Sequence, residues 1–271
     1  MEWIVLVIAG LFSGVVGALV GLGGGVILVP AIVYLGAAGF IDGITPQTVV
    51  GLSVIMMIFT GLSSTIAYMK KKTVDFKSGA IFFAGSAPGT VIGAFVNRGL
   101  DLPSFQLYFG IMMVFLALLL LVRKYLKPVQ WFVRHGRKTT FTDASGTYIY
   151  GYPIWFALLL TFGIGFSSGL FGIGGGSMLV PAMLLLFLFP PHVAVATSMF
   201  MVFLSALVNS VTHISLGNVP WIYTIPVVPA AYIGAKVGAY LNQRLNSDSL
   251  VVVLQIVLLL LGIRSIFEGL Y

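Results

Sequence analysis

One motif occurs twice. Gly21-Leu22-Gly23-Gly24-Gly25, followed by Leu28-Val29-Pro30-Ala31, returns 151 positions later as Gly172-Ile173-Gly174-Gly175-Gly176, followed by Leu179-Val180-Pro181-Ala182. Further along, Ser53 matches Ser198, Phe76 matches Trp221, Gly89 matches Gly234, Gly93 matches Gly238 and Asn97 matches Asn242, now at a spacing of 145. The six-residue difference falls in one connection, longer in the first half, around Ile41-Asp42-Gly43. A repeat that keeps register over several segments predicts a fold of two like halves, an architecture common among transporters.

The residues between these landmarks are apolar. Of 271 residues, 59% are hydrophobic and 8% are charged, against about 25% charged in soluble domains. So few charges cannot cover a water-facing surface, which excludes a soluble enzyme. Apolar runs lie at 3–20, 26–38, 47–69, 78–97 and 103–122, then at 153–170, 176–189, 193–214, 220–241 and 249–267. A span needs about 20 such residues. Met1-Glu2-Trp3 lacks a basic region and no small-residue cleavage site follows, so the first run reads as a retained span rather than a removable signal. With no cysteine, disulfides, thiolate metal sites and cysteine nucleophiles are excluded.

The basic excess is local. Lys and Arg number 14 against 7 acids, a net charge of +7. Lys70, Lys71, Lys72 and Lys77 follow the third run. Arg123, Lys124, Lys127, Arg134, His135, Arg137 and Lys138 lie in the polar stretch 123–152, ahead of Asp143-Ala144-Ser145-Gly146. That stretch reads as a solvated loop between a first membrane repeat (1–122) and a second (153–271). Charge in these two connections reads as a topology signal placing both in the cytoplasm, and no nucleic-acid partner is expected. The counterpart of Lys70–Lys77 is the uncharged Ser215-Leu216-Gly217-Asn218-Val219, whereas Arg244 lies in the counterpart of the fourth connection. Opposite bias in equivalent loops predicts an all-α polytopic protein of two inverted repeats in the inner cell membrane. Five crossings per half produce the inversion and put both termini outside the cytoplasm. The competing count is four crossings with a re-entrant Gly-rich element, because the second run is only about 13 residues, about 20 Å as a helix.

The Gly-rich turns carry the most chemistry. Glycine allows close backbone approach, and each turn precedes a short helix whose free amides and dipole attract anions. Two such elements near the midplane can cradle one anion between Gly23, Gly24, Gly25, Gly174, Gly175 and Gly176. The same glycines also fit tight helix packing. A nucleotide loop does not fit: Gly172-Ile173-Gly174 lacks the third spaced glycine and downstream acid of the dinucleotide fingerprint, and no lysine follows as in a P-loop. Pro30 and Pro181 are expected to kink the short helices. Gly85, Gly89, Gly93 and Ala230, Gly234, Gly238 recur every four residues, a packing pattern.

Polar residues in the third segments offer further donors. Ser53, Ser64, Thr197, Ser198 and Asn209 are candidates for the anion, although Ser and Thr also bond their own helix backbone. Ser64 and Asn209 are equivalent, as are Tyr68 and His213; His213 is expected near the interface. Lys236 fits either snorkelling to the interface or attracting an anion. The acids Glu2, Asp42, Asp75, Asp101, Asp143, Asp248 and Glu268 fall in connections or near termini. Carboxylates in the membrane usually serve proton relays and metal paths, so a cation pump, a metal importer and an intramembrane hydrolase are disfavoured. No cofactor and no metal are expected.

With these turns, the Val50-Gly51-Leu52-Ser53 and Val195-Ala196-Thr197-Ser198 stretches and the Lys-rich connection ending Val74-Asp75-Phe76, the sequence resembles the sulfite exporter TauE/SafE family. The resemblance implies a membrane permease for sulfite, sulfoacetate or other organosulfonates, and brings no set of binding residues. The expected partners are a small anionic substrate and the lipid bilayer; a homo-oligomer is compatible with the sequence. Export is favoured, because an anion leaving an inside-negative cell gains about 2.3 kcal/mol per 100 mV. Valine at Gly24 or Gly175 is expected to abolish transport while leaving insertion intact. Two rival readings are a passive channel and a non-transporting scaffold subunit whose soluble partner docks on 123–138.

Overall fold

The computed structural model describes residues 2–41, 43–123, 130–143, 146–242 and 247–270. Asp42, Lys124, Lys127, Ala144, Ser145 and Arg244, all weighed above, lie outside the described residues.

Each apolar run forms a helix. The first half holds α1 (Glu2–Val20), α2 (Gly25–Ala37), α3 (Pro46–Met69), α4 (Phe76–Asn97) and α5 (Leu102–Arg123). After α6 (Gln130–His135), β1 (Arg137–Asp143) and β2 (Gly146–Tyr152), the second half repeats the order: α7 (Ile154–Phe171), α8 (Gly176–Leu185), α9 (Pro191–Ser215), α10 (Trp221–Leu241) and α11 (Ser247–Leu270). Among the described residues, α1, α3, α4, α5, α7, α9 and α10 are long and apolar enough to cross a membrane. α2 and α8 have 13 and 10 residues, about 20 and 15 Å, short of a hydrocarbon core of about 30 Å. Ile4, Leu159, Val211 and Ile225 stay more than half exposed, a surface suited to lipid. The chain is a helical multi-pass membrane protein.

The halves interleave. α1 lies along α10 and α7 along α4. Glycines set both contacts: Gly10 and Gly14 abut Val227 and Ala231, while Gly89 and Gly93 abut Phe162 and Phe166. Residue numbers rise together in each pair, so these helices run parallel. A side chain at Gly234 or Gly238 would overlap the carbonyl of Leu11 or Val15, so the four-residue stripes are packing surfaces. Equivalent helices pair the other way. Gly51 near the start of α3 abuts Asn218, just past the end of α9, and Gly61 abuts Phe203 in its middle; α3 and α9 are antiparallel. Gly110 abuts Gly262, and Gly269 abuts Pro103 and Leu107, so α5 and α11 are antiparallel too. Bonds repeat across the halves: Asn97 Nδ2 donates to the Leu170 carbonyl at 2.8 Å, and Asn242 Nδ2 to the equivalent carbonyl of Leu19.

Within 123–152, β1 and β2 depart from the solvated loop that the polarity suggests. β1 and β2 form a hairpin in register from Arg137↔Tyr152 to Asp143↔Gly146. Arg137 and Lys138 remain exposed, but Tyr150 and Tyr152 are buried. The Tyr150 ring stacks on Phe189 with centroids 3.8 Å apart, and the Gly151 amide donates to the Phe187 carbonyl at 3.2 Å. His192 Nε2 lies 2.7 Å from Asp143 Oδ2. The hairpin also reaches Asp75, which caps α4 by accepting from the amides of Lys77 and Ser78 at 3.1 and 3.2 Å. Asp75, grouped above with acids of the connections, is buried in a polar cluster. Its Oδ2 accepts from Ser78 Oγ at 2.5 Å and from Tyr150 Oη at 2.7 Å, while Tyr152 Oη donates to Ser78 Oγ at 2.7 Å. Burial raises the Tyr150 phenol pKa, as do its bond to Asp75 and that residue's charge. Tyr152 is pushed up to about 12, chiefly by burial. Both phenols therefore stay protonated and donate.

Candidate functional site

The two Gly-rich turns meet at the middle of the bundle. The first folds back on its own helix: Leu22 N donates to the Gly17 carbonyl at 2.8 Å, and α2 begins beside Gly17 and Ser13. The turns then run antiparallel past one another. Gly25 lies against the Gly172 carbonyl and Gly176 against that of Gly21, so close that a Cβ at either glycine would overlap the facing oxygen. Each half clasps the other's turn. Ser53 Oγ donates to the Gly172 carbonyl at 2.5 Å, and Ser198 Oγ to the Gly21 carbonyl at 2.6 Å. The Met57 sulfur, at the midpoint of α3, borders both Gly23 and Gly174. The methyl ends of Met56 and Met201, repeat equivalents, border Gly24 and Gly175 respectively. All six candidate glycines are buried, and the arrangement is closed.

Of the predicted site residues, the structure thus brings together Gly23, Gly24, Gly25, Gly174, Gly175, Gly176, Ser53 and Ser198. Ser64 and Asn209 lie further along α3 and α9, and Asn209 reaches the last turns of α7. Asn209 Nδ2 donates to the Ser168 carbonyl at 3.5 Å. Ser64 Oγ, Thr65 Oγ1, Asn209 Oδ1 and Ser210 Oγ are buried with no hydrogen-bond partner among the described residues. These are two repeat-equivalent pairs, and an orphaned buried polar atom costs about 1–3 kcal/mol unless water or a ligand meets it. Thr197 is elsewhere: its Oγ1 accepts from the Asp75 amide at 3.0 Å, tying α9 to the cap of α4. Lys236 is exposed in an outer groove with Lys70 and Lys71, away from the turns.

Other residues at the site had weaker sequence signals. Thr60 Oγ1 donates to the Gly23 carbonyl at 2.8 Å; its counterpart Ser205 pairs instead with Ser86 Oγ at 2.6 Å. His213, expected near the interface, is fully buried: Nε2 lies 3.4 Å from the Gly169 carbonyl and Nδ1 takes Asn218 Nδ2 at 3.0 Å. Tyr68 holds the equivalent place, donating to the Ala18 carbonyl at 3.0 Å. The periodic signal that could have revealed these contacts is Thr60, Ser64, Tyr68 against Ser205, Asn209, His213, each spaced by four on one helix face. Among the described residues, no three His, Asp or Glu side chains gather as a metal would need.

The valine test needs revision at one turn. Gly24 has φ +93, and a Cβ there would lie 2.7 Å from the Ser13 carbonyl oxygen. Substitution at Gly24 therefore strains the fold itself. Gly175 has φ −64 and faces only side-chain methyls, 3.0 Å away.

Broken helices meeting at the centre of a two-half membrane bundle are the architecture of a membrane transporter. The chain belongs to the sulfite exporter TauE/SafE family, whose model matches residues 6–265. It is 46% identical to "Probable membrane transporter protein YunE" of Bacillus subtilis over the whole of both chains. It is 24% identical to "Probable membrane transporter protein YjnA" of the same organism, covering 96% of this chain and 98% of that one. A third relative, "Sulfite exporter TauE/SafE family protein 5" of Arabidopsis thaliana, is 36% identical over 31% of this chain and 19% of its own length. No solved structure is significantly similar to the chain.

Proposed function

We propose that the chain carries a small oxyanion, sulfite or an organosulfonate, across the cell membrane by alternating access, with export the favoured direction. The observation that carries this reading is the reciprocal crossing of the two Gly-rich turns. The starts of α2 and α8 meet there, and helix starts attract negative charge. Ser53 and Ser198, now donating to carbonyls of the opposite half, become available to an oxyanion when the turns part. Flexible thioethers at Met56, Met57 and Met201 let the contact reshape. The unpartnered atoms of Ser64, Thr65, Asn209 and Ser210 mark a polar route from the crossing along each half's third helix.

Inverted repeats accord with the pairing pattern: equivalent helices α3 and α9, and α5 and α11, are antiparallel. The short α2 and α8, each opened by a Gly-rich turn, fit discontinuous spans whose helical part covers only a portion of the bilayer, which keeps five crossings per half and the halves opposed. Rocking of one half against the other then exposes the crossing to alternate sides.

The test is flux by the full chain in liposomes preloaded with sulfite or sulfoacetate. Efflux of one of them should saturate with concentration and speed up when the same anion is placed outside. Saturable counterflow supports a carrier; flux that never saturates supports a channel. No flux of any of these anions overturns the substrate class.

A further inference from the structure

We propose that the groove between α3 and α10 at the lysine-rich end of the bundle binds the phosphate headgroup of an anionic phospholipid. The groove is an open cleft of about 650 Å³ whose lining includes Lys70, Lys71, Lys236, Ile66, Tyr232 and Tyr240. Lys70 and Lys71 follow the end of α3 at Met69, and Lys236 lies five residues before the end of α10 at Leu241. The helices are tied side by side where Ser63 Oγ donates to the Tyr232 carbonyl at 3.3 Å. Among the described residues no carboxylate pairs with any of the three ammonium groups. Asp75, the next acid in the chain, already accepts from Ser78, Tyr150 and two amides.

The repeat supplies an internal control. α9 packs against α4 as α3 does against α10, and at the repeat-equivalent positions Ser215, Leu216 and Val91 stand where the first pair has Lys70, Lys71 and Lys236. Packing therefore does not require the lysines. Topology accounts for charge in the connection, but Lys236 lies within a span-length helix, where an ammonium needs an interface or a counter-charge. If the halves are oppositely oriented, as proposed above, the basic groove faces the cytoplasmic leaflet, where anionic lipid is enriched. The inference rests on that orientation and not on the identity of the transported anion.

The groove wall favours a lipid over a free anion. Ile66, Tyr232 and Tyr240 are 42%, 38% and 53% exposed on the outer surface, and Ile233 and Val237 extend that apolar wall at 55% and 44%. Acyl chains can lie along this surface while three cations surround one phosphodiester. A free oxyanion would use the lysines and leave the apolar wall idle.

The experiment measures lipid retention and thermal stability of the full chain in neutral detergent. Three additions are compared: phosphatidylglycerol, phosphatidylcholine and inorganic phosphate. Phosphatidylglycerol should be retained and raise the unfolding temperature, while phosphatidylcholine should do neither. The triple variant Lys70→Gln, Lys71→Gln, Lys236→Gln should lose at least about tenfold in phosphatidylglycerol affinity. Lys236→Gln alone should lose part of it, and Arg137→Gln with Lys138→Gln on the hairpin should lose none. Equal retention of the two lipids, or undiminished retention in the triple variant, overturns the proposal. A shift by inorganic phosphate equal to that by phosphatidylglycerol also overturns it, assigning the groove to a free oxyanion. Anion flux measured on the same variants separates this reading from the transport reading: lipid binding lost with flux intact, or the reverse, falls on only one of them.

Discussion

The two Gly-rich turns are one device built to different tolerances. In the first half, Gly24 caps α2 in the left-handed region and abuts backbone. In the second, Gly175 caps α8 with ordinary helical angles, and its nearest neighbours are side-chain atoms of Ile164 and Met201. The flanks differ as well. α4 is capped by Asp75, bonded to a hairpin from the centre of the chain, whereas α10 follows Pro220, which makes no side-chain cap. The duplicated backbone plan is shared, then, but the cap of the first turn tolerates less change than that of the second.

Alanine at the two caps should break this comparison most visibly. Gly24→Ala incurs about 1–2 kcal/mol from left-handed backbone alone and adds an overlap with the Ser13 carbonyl. It should greatly lower the yield of folded protein, while Gly175→Ala should cost a few degrees in unfolding temperature at most. Equal losses would show that the asymmetry has no mechanical meaning. Next in size is Tyr150→Phe, which removes a donor from a buried carboxylate, an interaction of about 1.5–3 kcal/mol. It should make the hairpin a preferred protease site while leaving the second half as resistant as before. An unchanged digestion pattern would mean that aromatic stacking alone holds the hairpin. The smallest effects are expected from Ser53→Ala and Ser198→Ala, each about 1 kcal/mol. The prediction is their equality in thermal unfolding, because the two clasps are equivalent; a wide gap between them would place the crossing's stability in one half.

How far the sequence reveals this arrangement depends on the range of each interaction. Helices were legible because hydropathy acts through neighbours: α3 and α4 begin within two residues of the runs at 47–69 and 78–97. The repeat also pointed to Gly23–Gly25, Gly174–Gly176, Ser53 and Ser198, which do converge. The hairpin was hidden by charge. Its strand signal was present in Thr139-Thr140-Phe141-Thr142 and Thr147-Tyr148-Ile149-Tyr150 around a Gly-containing turn, but Arg and Lys dominated the reading. The contacts of Asp75 and Thr197 are hidden for another reason. Their partners lie 75 and 122 positions away, and no local pattern announces such pairs. His213 looked interfacial because it sits near a helix end, yet α7 covers that end of α9 through Gly169.

The parallel contacts of α1 with α10 and of α7 with α4 have a consequence for assembly. Neither half is a self-sufficient folding unit, since each lends its opening helix to the other and borrows one back. During synthesis α1 must wait in the bilayer for α10, over 200 positions downstream. The glycine faces of Gly10 and Gly14 stay unclaimed until then. Severed fragments made together in one cell should find each other through these faces, whereas either fragment made alone should be left with an orphan helix and be removed by quality control.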